Sequence, residues 1–211
     1  MFLSGGTLRA AMRGIIKPPE GAPAAYLDER YQPVCFELSL GDEIYISARE
    51  TPTRLADREA VSIAPGEFAI ITTAEQVQMP QDKIGFISMK FGFTQYGLIN
   101  VSGFHVDPGF VGKIHFAVYH AGPTAITLRR LDQVFMLFLA SITDTAKKYE
   151  GKRQHQDNVP TGTVVALKGP PVSLKSLDSR LTRLESSVRL LIALGVGVIA
   201  AVVGALLTVN R

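Results

Sequence analysis

The chain has 211 residues, of which 46% are hydrophobic and 19% charged, with a formal net charge of +3. That length fits one domain of about 150 residues plus an appendage, and so small a charge does not argue for duplex DNA as a partner. The single cysteine, Cys35, excludes a disulfide framework and a cysteine-based zinc site. It sits in the apolar run VCFEL and reads as a small buried hydrophobe. Met1–Ile16 lacks a continuous apolar core, so no signal peptide is expected.

Ser4 to Gly14 reads as a short amphipathic helix capped by Ser4, with Leu8, Ala11, Met12 and Ile15 near one face. Lys17-Pro18-Pro19-Glu20-Gly21 stops it. Val34–Leu40 and Glu43–Ser47 read as strands parted by Gly41-Asp42, a two-residue hairpin signal. Glu50–Glu59 is polar, contains a proline and reads as a loop. Ala60–Ile63, Phe68–Thr73, Ile84–Phe91, Ile114–His120, Thr124–Leu128 and Val134–Leu139 follow as short runs bounded by turn residues. Many short strands with little helix between them predict an all-β barrel or sandwich.

After Leu139 the character changes. The first domain is expected to run over residues 1–157, followed by a Pro/Gly-rich linker over 158–173. Leu174, Leu177, Leu181, Leu184, Val188 and Leu191 then recur at spacings of three and four, predicting a coiled-coil-like helix over 174–189. Leu190–Val209 contains no charged residue, and about 20 apolar residues span a ~30 Å hydrocarbon core. A transmembrane helix is therefore expected over 190–209. Arg180, Arg183 and Arg189 precede it and only Arg211 follows, so the large domain is expected on the cytoplasmic side.

The stretch Gly97–Tyr119, GLINVSGFHVDPGFVGKIHFAVY, stands at the centre of the domain. Proline and glycine in Asp107-Pro108-Gly109 predict a tight turn between strands. It presents Asp107 as an acceptor and Phe110 as a flat apolar surface, a combination suited to a small flat polar ligand. A plain β-hairpin capped by an aspartate accounts for the same spacing.

GL…FHVDPGFVGKI…VYHAG resembles the nucleotide-pocket signature of the dCTP deaminase/dUTPase family. Pro65-Gly66-Glu67-Phe68-Ala69 before it and Tyr149-x-Gly-Lys-x-Gln-x-Gln156 after it match in the same order, so the resemblance covers about Leu3 to Gln156. The resemblance implies a distorted jelly-roll-like β-barrel that trimerises with its pockets between subunits. It further implies nucleotide contacts at Asp107, Phe110, Tyr119, Lys152 and Gln156, with Lys90 and Gln95 in the stretch where the family grips the phosphates and His105 in place of the family's Arg before the turn. At Lys90-Phe91-Gly92 the family's Arg-Ser-Ser is lost, and with it the fork geometry and two hydroxyl donors. Lys113 and His115 could add positive potential near the pocket, though surface positions on a strand are the simpler reading.

The catalytic Glu of the family's deaminases is expected two residues before the Tyr, and that position is Ala117. Alanine has no acid–base chemistry, and a lone cysteine removes the zinc route to deamination. The depleted site predicts a membrane-anchored pseudoenzyme. It would bind a nucleotide or short oligonucleotide and couple occupancy to its membrane helices, for instance as a pore used in antiviral defence. Its expected partners are that ligand, a membrane and further copies of itself, with Mg2+ entering only on a bound nucleotide. The alternative is an active, membrane-tethered dCTP deaminase or nucleotide hydrolase with a relocated base such as Asp107 or Glu150. A structural trimer with a vestigial pocket is a third reading.

Overall fold

The computed structural model describes residues 1–167 and 174–209. It divides into two compact units, Met1–Pro171 and Val172–Arg211. The first unit opens with α1 (Gly5–Ile15) and β1 (Ile16–Lys17), then a single 3-10 turn at Asp28–Arg30. Next come β2 (Phe36–Ile46), β3 (Thr53–Arg54), β4 (Ala60–Ile63), β5 (Phe68–Gln78) and β6 (Lys83–Met89). A short helix α2 (Phe91–Thr94) leads to β7 (Leu98–Asn100), β8 (His105–Val106) and β9 (Val111–His120). The unit ends with β10 (Ile126–Arg129), β11 (Gln133–Ser141) and α3 (Thr161–Leu167).

The sheet runs in the order β7-β9-β5-β2-β11-β6-β8, with β1 on β5 and β3 on β2, while β10 and β4 form a separate pair. Every pairing in it is antiparallel. Three strands separate β9 from β6 in this order, yet both line one cavity, so the sheet is curled into a half-barrel. Its concave side holds the core. Along β9 the alternation of side chains puts Ile114, Phe116, Val118 and His120 inward and Lys113, His115, Ala117 and Tyr119 on the other face. Phe116 stacks on Phe135 of β11 with ring centroids 3.4 Å apart, and both rings are fully buried. Glu75 is also fully buried. It accepts from the Tyr26 hydroxyl at 2.6 Å and the Ser39 backbone at 3.0 Å, with Arg30 Nε 3.7 Å away. Burial pushes its carboxyl above the usual range.

Two expectations change on folding. Gly41-Asp42 does not turn the chain: β2 runs through it as one strand, and the register against β5 shifts between Leu40 and Ile44. Glycine is needed there because a Cβ on Gly41 would stand 2.7 Å from the carbonyl oxygen of Thr73, so it serves a close backbone approach at an irregularity. The turn at Asp107-Pro108-Gly109 is tight, as expected, but is not a hairpin. The strand before it, β8, pairs with β6, and the strand after it, β9, pairs with β5 and β7.

The predicted linker is helical over Thr161–Leu167, because Val159 and Val164 find apolar cover. They pack with Tyr45 and Ile70 on the convex face of the sheet, with Ala117 against them. Residues 168–173 of that linker lie outside the described residues, as do Asn210 and Arg211. In the second unit the predicted stalk and span form one helix, α4 (Leu174–Val209). The transmembrane expectation is not confirmed. Among the described residues no helix is long and apolar enough to cross a membrane.

Candidate functional site

A cavity of about 430 Å³ is lined by residues from β5, β6 and β9, the turn and the segment that follows the sheet. Ile70 of β5, Ile87 of β6, and His115 and Ala117 of β9 form its walls, and the turn supplies His105, Asp107 and Phe110. Tyr149, Arg153, Gln156 and Pro160 of the following segment complete it.

The turn is rigid because both of its ends are bonded. The backbone of Phe110 donates to Asp107 O at 3.2 Å, and that of Gly109 donates to Met79 O at 3.0 Å. Gly109 sits at φ +78°, a conformation that favours glycine. A Cβ there would stand 2.8 Å from Lys148 Cα, so the later segment presses directly on the turn. Asp107 is half-buried at the cavity, with its Oδ1 3.4 Å from His105 Nε2. Phe110 is buried in the core cluster and meets Tyr149 at a centroid distance of 6.0 Å, tilted by 60°.

Residues 148–157 fold back over the turn and β9 as a lid. Tyr149 N donates to Pro108 O at 3.1 Å, His155 N to Val111 O at 2.7 Å, and Lys113 N to Gln156 O at 2.9 Å. The Gln154 side chain spans the turn, accepting from Val111 N at 3.0 Å and donating to Gly109 O at 3.1 Å. Lys113 is largely buried and bridges Asp42 at 3.1 Å and Asp157 at 2.9 Å. Val159 N donates to Glu43 Oε2 at 2.6 Å, fastening the chain beyond the lid. These bonds turn a polar stretch into an ordered roof.

His115 lies on the cavity face of β9, not on the solvated surface expected of it. Both ring nitrogens are buried, and the backbone of Asp157 interacts with the ring. Burial holds its pKa down at about 4 against a backbone hydrogen bond with Asp157, and the positive charges of Arg153 and Lys113 lower it further while the Asp157 charge opposes them. The unfolded imidazole titrates near 6.5. Below pH 6.5 the unfolded chain takes up a proton that the folded chain refuses until about pH 4. Stability is therefore fully present above pH 6.5 and falls as the pH drops from 6.5 to 4. Thermal melts at stepped pH check this against His115→Leu, and identical pH slopes in the two proteins would overturn it.

Of the residues predicted for the site, His105, Asp107, Phe110 and Gln156 meet at the cavity. Lys90 does not join them. It pairs with the buried Glu37 at 2.7 Å, so its charge is already answered. Gln95 is exposed at the end of α2, Tyr119 meets Phe68 at a tilted ring contact of 4.8 Å, and Lys152 is exposed on the lid. Arg153 takes the cavity position next to Lys152. His115, Tyr149 and Arg153 were not among the predicted contacts. The strand alternation that places Ala117 on the cavity face places His115 there too, and would have found it. Among the described residues no group of three or more His, Cys, Asp or Glu is placed to hold a metal ion.

A curled antiparallel β-sheet with a roofed cavity at an Asp-Pro-Gly-Phe turn defines the dCTP deaminase/dUTPase class of fold. The profile of the dCTP deaminase-like family matches residues 2–142, and the chain belongs to that family. It is 35% identical over 123 residues to a dCTP deaminase of Pyrobaculum aerophilum, covering 58% of this chain and 64% of that one. To a dCTP deaminase of Thermococcus kodakarensis it is 25% identical over 130 residues, covering 61% and 82% of the two chains. The chain thus spans less than two thirds of the length of the Pyrobaculum aerophilum relative. The crystal structure of 2'-deoxycytidine 5'-triphosphate deaminase from Agrobacterium tumefaciens superposes with a TM-score of 0.54 at 15% identity, covering 67% of this chain and 48% of that one. That likeness is one of fold.

These findings overturn the expected pseudoenzyme sensor. The relatives are named as deaminases, and the catalytic alternative fits them better than a membrane-coupled binder, pore or defence effector does.

Proposed function

We propose that the chain binds a deoxycytidine nucleotide in the roofed cavity and deaminates it, with Asp107 as the proton-transferring carboxylate. The observation that carries this reading is the position of Asp107. It is the carboxylate lining the cavity among the described residues, held on a turn that backbone bonds and the lid immobilise. At Ala117 the side chain is instead part of the apolar contact with Ile70 and Val159, so β9 offers no acid there. In the reaction, water adds across the C=N bond of the ring carbon bearing the amine, its oxygen bonding to that carbon while Asp107 carries one of its protons to the adjacent ring nitrogen. Asp107 then moves the remaining hydroxyl proton to the amine, the bond from carbon to that amine breaks, and a carbonyl and ammonia are left. Arg153 at the cavity and Lys152 beside it supply positive charge for the nucleotide's phosphates. This reading requires no membrane attachment.

The test is incubation of the full chain with dCTP. Equal amounts of dUTP and ammonia are the expected products. Release of pyrophosphate without ammonia would make the protein a nucleotide hydrolase using the same aspartate on phosphorus. Absence of all three products would overturn the proposal.

Self-association belongs to this reading. Phe91 and Tyr96, in and just after α2, and Phe104, beside Phe86 of β6, are 75, 63 and 64% exposed, large rings that a single chain leaves in water. Further copies of the chain would cover them and place the segment Lys90–Gln95 at an interface. Light scattering on the purified chain is expected to give a trimer, and Phe91→Ser to give smaller species. A monomeric wild type at micromolar concentration would refute this.

A further inference from the structure

The second unit carries a surface that the proposed reaction does not use. Along the first half of α4, Leu174, Leu177, Leu181, Leu184 and Val188 fall at the a and d positions of a heptad, and Leu191 continues them. Every other position from 175 to 189 is Lys, Ser, Asp, Arg, Thr or Glu. Leu177, Leu181, Leu184, Val188 and Leu191 are 48 to 67% exposed, so the folded chain leaves this stripe in water. A contiguous bare apolar stripe on an otherwise polar helix marks an interaction surface.

The width of the stripe selects the kind of partner. A helix laid on a sheet or on a membrane surface presents a broad apolar face of about 100° or more. A strict a/d stripe is narrower, and it is the seam that another helix fills, each apolar side chain entering a hole between four residues of the facing helix. The flanking charges select which helix. Arg180 stands at a g position and Glu185 at the e position of the next heptad. In parallel helices held in register, a g residue lies beside the following e residue of its neighbour, so Arg180 of one copy meets Glu185 of a second copy. Antiparallel packing brings e positions together instead and sets Asp178 against Glu185, two acids. Within one chain Arg189 reaches Glu185 at 3.9 Å with both side chains exposed, a loose i,i+4 contact on the outer surface.

We propose that α4 docks on α4 of further copies of this chain, parallel and in register, through the seam Leu174–Leu191. The seam supplies the affinity, because closing it removes apolar surface from water. The Arg180–Glu185 pairs are exposed and individually weak, so they choose the direction of the helices rather than hold them together. This interface lies outside residues 2–142, which the family profile matches, and it does not rest on the proposed chemistry.

Disulfide trapping in the full chain tests this, with Cys35→Ala removing the native thiol. Leu177→Cys and Leu191→Cys proteins, oxidised separately with diamide, are each expected to form covalent dimers. Links that form only when the two proteins are mixed would show antiparallel helices and overturn the inference. Copies gathered by the β domain alone would also bring cysteines near one another, so the seam and the charges are varied in the Leu191→Cys protein. Leu181→Ser with Leu184→Ser is expected to slow trapping at least about tenfold, and an unchanged rate would overturn the inference. Arg180→Glu and Glu185→Arg are each expected to slow trapping about threefold, and the two together to restore it. A double reversal that stays slow would overturn the parallel register. Circular dichroism separates loss of docking from loss of folding. If the wild type binds phosphatidylglycerol vesicles and Leu181→Ser with Leu184→Ser abolishes that binding, the stripe faces a membrane and the inference falls. Turnover of dCTP is read by none of these measurements, so their failure leaves the proposed function standing.

Discussion

Replacing Asp107 with asparagine is expected to abolish turnover of dCTP while leaving the fold intact. The substitution keeps size and hydrogen-bonding capacity but removes the ability to take a proton from water and return it to the leaving nitrogen. A positioned acid–base group contributes about 10²–10⁴-fold to the rate, and the cavity wall offers no second carboxylate among the described residues. Structural cost is small. Asp107 is half-buried, its side chain meets His105 at 3.4 Å, and the bond from Phe110 N uses the Asp107 backbone oxygen, which the substitution keeps. Quenched-time assays of dUTP and ammonia check the rate, and circular dichroism checks the fold. Residual activity above about one tenth of wild type would move the catalytic role elsewhere, with Glu150 of the lid the next residue to replace.

Gly112→Val is expected to dislodge the lid. Gly112 lies at φ +145°, in the range that favours glycine, and is bridged in parallel to Gln156. A Cβ at that position would stand 2.8 Å from the Gln156 carbonyl oxygen and 3.0 Å from its nitrogen. Both obstacles are backbone, so the lid has to move rather than a flexible side-chain tip. Strain of this kind costs about 1–3 kcal/mol, and relieving it breaks the bond from Lys113 N to Gln156 O. Trypsin is expected to cut the variant faster at Lys147, Lys148, Lys152 and Arg153, and affinity for dCTP is expected to fall with the loss of Gln156 and Arg153 from the cavity. Unchanged trypsin resistance together with unchanged affinity would show that the lid does not depend on this contact.

Much of the domain was legible because its signals are local. The amphipathic spacing of Leu8, Met12 and Ile15 marks α1, and all three are buried. Ala60–Ile63 matches β4 residue for residue. The other apolar runs found their strands with ends that shifted, since pairing partners extend a strand beyond its most apolar residues: Phe68–Thr73 grows to Gln78 because β1 and β9 pair with that extension. The Asp-Pro-Gly corner was legible from its own turn chemistry.

What was not legible depends on partners distant in the chain. Gly41 reads as a turn until the backbone of Thr72 and Thr73 is placed against it. Lys90 reads as a phosphate contact until Glu37, 53 positions earlier, is found 2.7 Å away. Lys113 and His115 read more simply as surface residues until the lid covers them, and the lid itself was implied only by the family resemblance of Tyr149 to Gln156, because its bonds are to backbone atoms, which sequence does not display. For the apolar run Leu190–Val209, composition alone predicts a span, and among the described residues no helix is long and apolar enough to confirm it.

The sequence by itself determined the all-β domain, the rigid corner bearing Asp107 and the absence of an acid at position 117. Each of these is written in residue type and short spacing, which bear directly on backbone angle and side-chain chemistry. Only the tertiary structure decided that the sheet curls, which backbone bonds hold residues 148–157 over the turn, and that His115 is buried beneath them. Burial is a property of many residues at once: a polar atom becomes costly, and so informative, only when the surrounding chain has removed its water.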